Sequence, residues 1–205
     1  MKFHRTILLK SACLVALLCP AAFVGAALDD DYSPNYSDRM LTPIEGSKVA
    51  PVLRAFRSHF PLRVAVLNTT FCNNWRYAAV KEAVEAWASA TKSLPTGGAT
   101  SICEEVDDAT GADVVIRFCT REEAGNFSGF TNEYGDYAII RLAALDAGPR
   151  PIDAKQLKRV AMHEFGHALG IWGHSPDPGD VMSVNPDATQ VSVADVNTLR
   201  LAYER

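Results

Sequence analysis

Three of the chain's five histidines fall within twelve residues: His163-Glu164-Phe165-Gly166-His167-Ala168-Leu169-Gly170-Ile171-Trp172-Gly173-His174. Two histidines four residues apart on a helix project from one face, because the helix repeats roughly every 3.6 residues. Both imidazoles then reach a single Zn²⁺ at about 2.0–2.1 Å. Glu164 sits beside such a metal without ligating it, where its carboxylate can take a proton from metal-bound water. Gly170 lets the helix stop, since glycine enters the left-handed region at no steric cost. The chain then turns back and can offer His174 as a third ligand. Three neutral nitrogen ligands leave one tetrahedral position open, the arrangement of a catalytic zinc rather than a structural one. A core helix with incidental histidines is the bland alternative, and it leaves the glycine, the third histidine and the downstream Met182 unexplained. His4 lies in a basic leader and His59 is isolated.

Elements on both sides must position this stretch. Asp153 is placed to cap the helix that carries His163, with Gln156 completing a capping box, and Leu157, Val160, Ala161, Phe165 and Ala168 fall on its inward face. Upstream, Leu62–Leu67 reads as a buried strand. A helix that Asn74 can cap follows, with Val80, Ala83, Val84 and Trp87 on its core face. Ile102–Val106, Ala112–Phe118, Phe127–Thr131 and Tyr137–Leu142 read as strands, the last two separated by a turn at Glu133–Asp136. A final helix opens on Ser192 and Asp195, again a capping-box pair, with Val196, Leu199 and Tyr203 facing the core.

The 205 residues suffice for one domain with a single core. Met1–Ala26 reads as a secretory signal: Lys2, Arg5 and Lys10 precede an apolar run, and small residues end it. That run is interrupted at Pro20 and is shorter than the roughly 18–20 residues of a membrane anchor. Without the leader's three cations, 17 Lys and Arg face 24 Asp and Glu, a net charge of −7. Nucleic acid and anionic membrane are thereby disfavoured as partners. Residues 27–61 form a polar lead-in with a short helix expected around Pro51–Phe56, and the catalytic domain is expected over 62–205.

The histidine stretch resembles the zinc site of the metzincin metallopeptidases, whose pattern is H-E-x-x-H-x-x-G-x-x-H followed by a Met-turn. It is most similar to the matrixins and their short bacterial-type relatives. One departure stands out: Gly173 occupies the position of the third histidine, and His174 comes one residue late. His174 lies eight residues before Met182, similar to matrixin spacing, so the turn Gly170–Gly173 is where the extra residue is absorbed. His174 is kept as the ligand, with Asp180 as the alternative. The residue two beyond Met182 is Val184, so the tyrosine ligand of the astacin-like and serralysin-like branches is missing.

The resemblance implies an α+β fold: a twisted, mixed, five-stranded sheet with an active-site helix, a Met-turn and a C-terminal helix. It implies an antiparallel edge strand near Asn126–Thr131 that binds peptide by strand addition without particular side chains. Met182 would form a hydrophobic floor under the metal, and Ser183–Pro186 would line the primed-side pocket. The loop Thr120–Asn126 is short and lacks histidine, so one catalytic zinc is expected, no structural zinc, and calcium is open but not indicated. A matrixin-like sheet would make the strands before Cys72 and Cys119 parallel neighbours, which implies a Cys72–Cys119 disulfide with Cys103 left as a buried thiol. The lead-in is either a terminus with a docking helix or an inhibitory pro-segment. With no cysteine between Cys19 and Cys72, only Asp29, Asp30, Asp31 or Asp38 could cap the zinc.

The leading reading is a monomeric zinc endopeptidase acting on protein or peptide, secreted or periplasmic, with no membrane contact after signal cleavage. In it Glu164 is the general base and His163, His167 and His174 hold the metal. A non-enzymatic zinc module that uses the cleft for partner recognition is the alternative. A zinc hydrolase acting on a non-peptide bond is a third.

Overall fold

The computed structural model describes residues 32–41, 53–55, 59–67, 71–94, 96–125, 127–144 and 152–204. The expected signal segment lies outside them. Five strands and three helices follow in order: β1 (Leu62–Leu67), α1 (Asn74–Ala90), β2 (Cys103–Val106), β3 (Val114–Cys119), β4 (Gly129–Glu133), β5 (Ala138–Ala143), α2 (Ala154–Leu169) and α3 (Val193–Tyr203). The strands form one sheet in the order β2-β1-β3-β5-β4. All neighbours are parallel except β4, which runs antiparallel to β5 at one edge. The fold is therefore α+β with a five-stranded mixed sheet, as the resemblance implied.

The central strands are short continuous apolar runs because parallel strands are covered on both faces. On one face Leu62, Val64, Val114, Ile116, Ile140 and Leu142 pack with Val80, Ala83 and Trp87 of α1 and Leu157, Ala161, Phe165 and Ala168 of α2. A smaller set, Ala65, Ala112 and Val115, packs on the other. Trp87 also donates its indole N–H to the carbonyl of Met162 at 2.8 Å, which ties α1 to the site helix.

Local chemistry sets the helix ends. Asn73, one residue before the expected Asn74, caps α1 by accepting from the Arg76 N–H at 3.1 Å. Asp153 with Gln156, and Ser192 with Asp195, form the two capping boxes. α2 ends at Gly170, whose φ of 125° favours glycine.

Two further details differ from the sequence reading. β4 is shifted two residues toward the C-terminus, because its pairing with β5 runs from Gly129↔Leu142 to Glu133↔Ala138. Phe127 stays outside the strand and stacks on Phe130, with ring centroids 6.1 Å apart. The helix expected around Pro51–Phe56 is absent from its described part, where Leu53 makes an antiparallel bridge to Ile171.

The Cys72–Cys119 disulfide is not formed, and Cys72, Cys103 and Cys119 are free thiols. β1 and β3 are indeed parallel neighbours, but side chains alternate across a strand. Phe118 faces the helical core, so Cys119 points to the opposite face and packs with Ala124 and Ala143. Cys72 packs against the helical core instead. Cys103 is buried, and burial pushes its thiol up to about 11.

Candidate metal centre and cleft

α2 presents His163 and His167 one turn apart, and the turn after Gly170 returns His174 to them. One ligand atom from each of the three lies within 4.8 Å of the others. Among the described residues this is the one such group of His, Cys, Asp and Glu.

The surrounding hydrogen bonds leave the histidines ready to ligate. Nδ1 of His163 lies 2.9 Å from the carbonyl of Val181, and Nδ1 of His167 lies 2.6 Å from that of Ile171. A carbonyl only accepts, so both rings carry their proton on Nδ1 and keep an Nε2 lone pair free. The buried Nδ1 of His174 has no hydrogen-bond partner. Burial, and then the charges of His163 and His174, hold His167 well below the usual histidine range. Burial followed by His163 takes His174 down to about 4. His163 is lowered by burial against the opposing Val181 bond. All three are neutral at pH 7, the form a metal needs. The donor set, the fixed tautomers and the orphaned nitrogen fit a zinc ion.

Glu164 faces the cleft from the same helix and is buried. In the metal-free chain burial pushes its carboxyl up to about 7, opposed by a hydrogen bond from Thr131. Thr131 was not singled out by sequence, which gave the edge strand a backbone role only. Its Oγ1 lies 2.6 Å from Oε2 of Glu164 and 3.0 Å from the Glu164 carbonyl oxygen. Two residues earlier on the same strand face, a Cβ on Gly129 would lie 2.7 Å from Cγ of Glu164. The Gly-x-Thr spacing on a strand was the available signal: glycine admits the carboxylate and threonine holds it. Thr131→Val keeps the shape and removes the donor. A hydrogen bond to a charged group is worth about 1.5–3 kcal/mol, so kcat should fall roughly 10- to 100-fold with KM changed less than twofold. Thr131→Ser should recover most of the rate. Steady-state kinetics on a peptide substrate measures both.

Beneath the histidines, Met182 is fully buried against the underside of α2. A Cβ on Gly166 would lie 2.2 Å from its sulfur and 2.9 Å from Cζ2 of Trp87, so this helix position must be glycine for the floor to close. Asp195 at the start of α3 holds the floor's backbone, accepting from the N–H groups of Val181 at 2.9 Å and Met182 at 3.3 Å. Asp180, the alternative ligand, is absorbed elsewhere. Its carboxylate accepts from the hydroxyls of Ser175 at 2.5 Å and Ser192 at 2.6 Å, which knits the turn to α3.

The cleft has a volume of about 940 Å³ and runs past His163, Glu164, His167 and His174. The outer strand β4 with Phe127 and Phe130 forms one wall, and Val184, Asn185 and Pro186 form another. Ser183 is buried and bridges Ser175 instead of lining the cleft. Of the aspartates considered as zinc caps, Asp38 is exposed and 3.8 Å from Arg39, away from the histidines. Asp29, Asp30 and Asp31 lie outside the described residues.

Residues 146–204 match the family model described as matrixin (Peptidase_M10). A comparison with curated proteins finds no match. The matched segment holds α2, the histidine turn, Met182 and α3, and over that segment the chain is similar to the matrixins.

Proposed function

We propose that the chain is a secreted zinc endopeptidase that hydrolyses protein substrates bound in the cleft. The observation that carries this reading is Glu164: a buried carboxylate beside three neutral histidines, held through Oε2 by Thr131. A structural or purely binding zinc site has no use for it. When bound, zinc lowers the pKa of water and polarises a carbonyl. His163, His167 and His174 hold the ion. Thr131 orients Glu164 so that Oε1 is left to accept the water's proton and deliver it to the leaving amine. The outer edge of β4 offers unpaired backbone groups to an extended peptide, and Phe127 and Phe130 favour apolar side chains on that side. The basic-then-apolar start of the chain supports export, and the acidic remainder supports a soluble monomer that leaves nucleic acid and membranes alone.

Casein cleavage by the purified chain tests the reading, with zinc content measured alongside. Dialysis against a chelator should remove cleavage and about one zinc per chain, and added Zn²⁺ should restore both. Zinc that stays bound in a chain inactive on proteins and peptides would favour the partner-binding module. Turnover of small esters alone would favour a non-peptide hydrolase.

A further inference from the structure

The described part of the lead-in does not enter the cleft; it grips the turn that carries the third histidine from behind. Leu41 and His174 exchange both backbone hydrogen bonds, each 2.8 Å, as a closely paired antiparallel bridge. At the other end of the turn the Arg54 N–H donates to the Gly170 carbonyl at 2.9 Å, and Leu53 bridges Ile171. The fit is close. A Cβ on Gly173 would lie 2.2 Å from Met40 Sδ and 3.1 Å from the Leu41 carbonyl oxygen, and one on Gly170 would lie 2.1 Å from that of Arg54. Gly173 has no left-handed φ, so it is glycine for space. It also stands at the position where this chain carries one residue more than the matrixin spacing. The lead-in thus lies directly on the insertion.

The grip is anchored in the core. Tyr36 is 1% exposed, its hydroxyl donates to Asp195 at 2.8 Å, and its N–H donates to Thr198 Oγ1 at 3.1 Å. Asn197 donates to the Pro34 carbonyl at 3.0 Å. Losing this segment would leave Asp195 and Thr198 short of partners inside the protein. None of the described lead-in residues lines the cleft.

We propose that Met40–Leu41 and Leu53–Arg54 are a permanent brace that sets His174 in ligating position, and that this part of the lead-in belongs to the working enzyme rather than to a removable inhibitory segment. The proposal rests on the zinc reading above. Residues acting on a ligand from behind typically alter metal affinity by about 10–100-fold.

Leu41→Pro deletes the donor to the His174 carbonyl, and Gly173→Ala pushes Met40 and Leu41 off the turn. Zinc affinity is measured by competition with a chromophoric chelator, and the unfolding midpoint is measured on the metal-free proteins. Both variants should bind zinc at least tenfold more weakly while the metal-free chains remain folded by circular dichroism. Asp38→Ala should leave zinc affinity and cleavage unchanged. Affinity within twofold of the parent in Leu41→Pro and Gly173→Ala would overturn the brace, as would a gain of activity in Asp38→Ala. A lowered unfolding midpoint with unchanged zinc affinity would reduce the segment to a plain structural role and equally overturn it. If the parent chain itself binds no zinc, the metal-site reading fails first.

Discussion

Glu164→Gln is expected to silence cleavage and, in the metal-free chain, to stabilise the fold at alkaline pH. The two effects have different origins. Glutamine keeps the shape and can still accept from Thr131, but it cannot accept a proton, so the rate should fall at least about 10²–10⁴-fold, the range for a lost general base. Zinc should remain bound, because the three histidines are untouched. For stability, the carboxyl has its ordinary value of 4.5 when unfolded and about 7 when buried in the folded, metal-free chain. Between those values the unfolded chain has released its proton and the folded chain has kept it. Stability therefore falls as pH rises through the window, by about 3 kcal/mol in total. Glutamine has no such loss. Urea unfolding of the metal-free proteins should show little difference at pH 4 and the variant ahead by about 3 kcal/mol at pH 8. The histidines act in the opposite sense. His174, neutral and buried, has a folded value of about 4 against its ordinary 6.5, so stability is lost as pH falls through that range. That contribution is common to both proteins and cancels in their difference. A stability gap that does not change with pH would show that Glu164 is not desolvated in the folded state.

Much of this was legible because it is local. The Asp153-x-x-Gln156 box and Gly170 mark both ends of α2, and the four-residue spacing puts His163 and His167 on one face whatever surrounds the helix. Runs such as Val114–Cys119 announce buried parallel strands. What escaped depends on neighbours distant in sequence. Thr131 looks like any strand threonine until β4 is laid along α2. Cys119 ends β3, the parallel neighbour of β1 as expected, yet side-chain alternation turns it away from Cys72. The lead-in read as a polar preface because the pairing of Leu41 with His174 has no signature in either segment alone. Asp195 was read as half of a capping box, and that role is present, but its carboxylate carries a larger one.

Asp195 is the position where a single change should cost the fold most. It is completely buried, and its two oxygens are shared among four donors. Oδ1 accepts from the Tyr36 hydroxyl at 2.8 Å and the Met182 N–H at 3.3 Å. Oδ2 accepts from the Val181 N–H at 2.9 Å and the Ser192 N–H at 3.0 Å. Burial raises its carboxyl, and the bonds from Ser192, Val181 and Tyr36 pull the other way. Burial, and then Asp195 itself, hold the Tyr36 phenol well above its ordinary value, so the phenol stays protonated and donates. Asp195→Ala strands these donors inside the protein and should cost about 3–5 kcal/mol, the range for removing one partner of a buried charged network. Asp195→Asn is nearly isosteric yet should recover little. Whichever way the amide is turned, its NH₂ meets at least one backbone N–H, Met182 on one side or Val181 and Ser192 on the other. The loss should reach the metal, because the carbonyl of Val181 holds Nδ1 of His163 and Met182 closes the floor. Zinc affinity should therefore fall together with stability in both variants. Ser192→Ala removes the cap of α3 and one of the two hydroxyl donors to Asp180, and should cost about 2–3 kcal/mol, less than Asp195→Ala. Urea unfolding of the metal-free proteins and chelator competition for zinc measure the two effects. An asparagine variant within about 1 kcal/mol of the parent would mean that shape, rather than four converging donors, is what this position supplies.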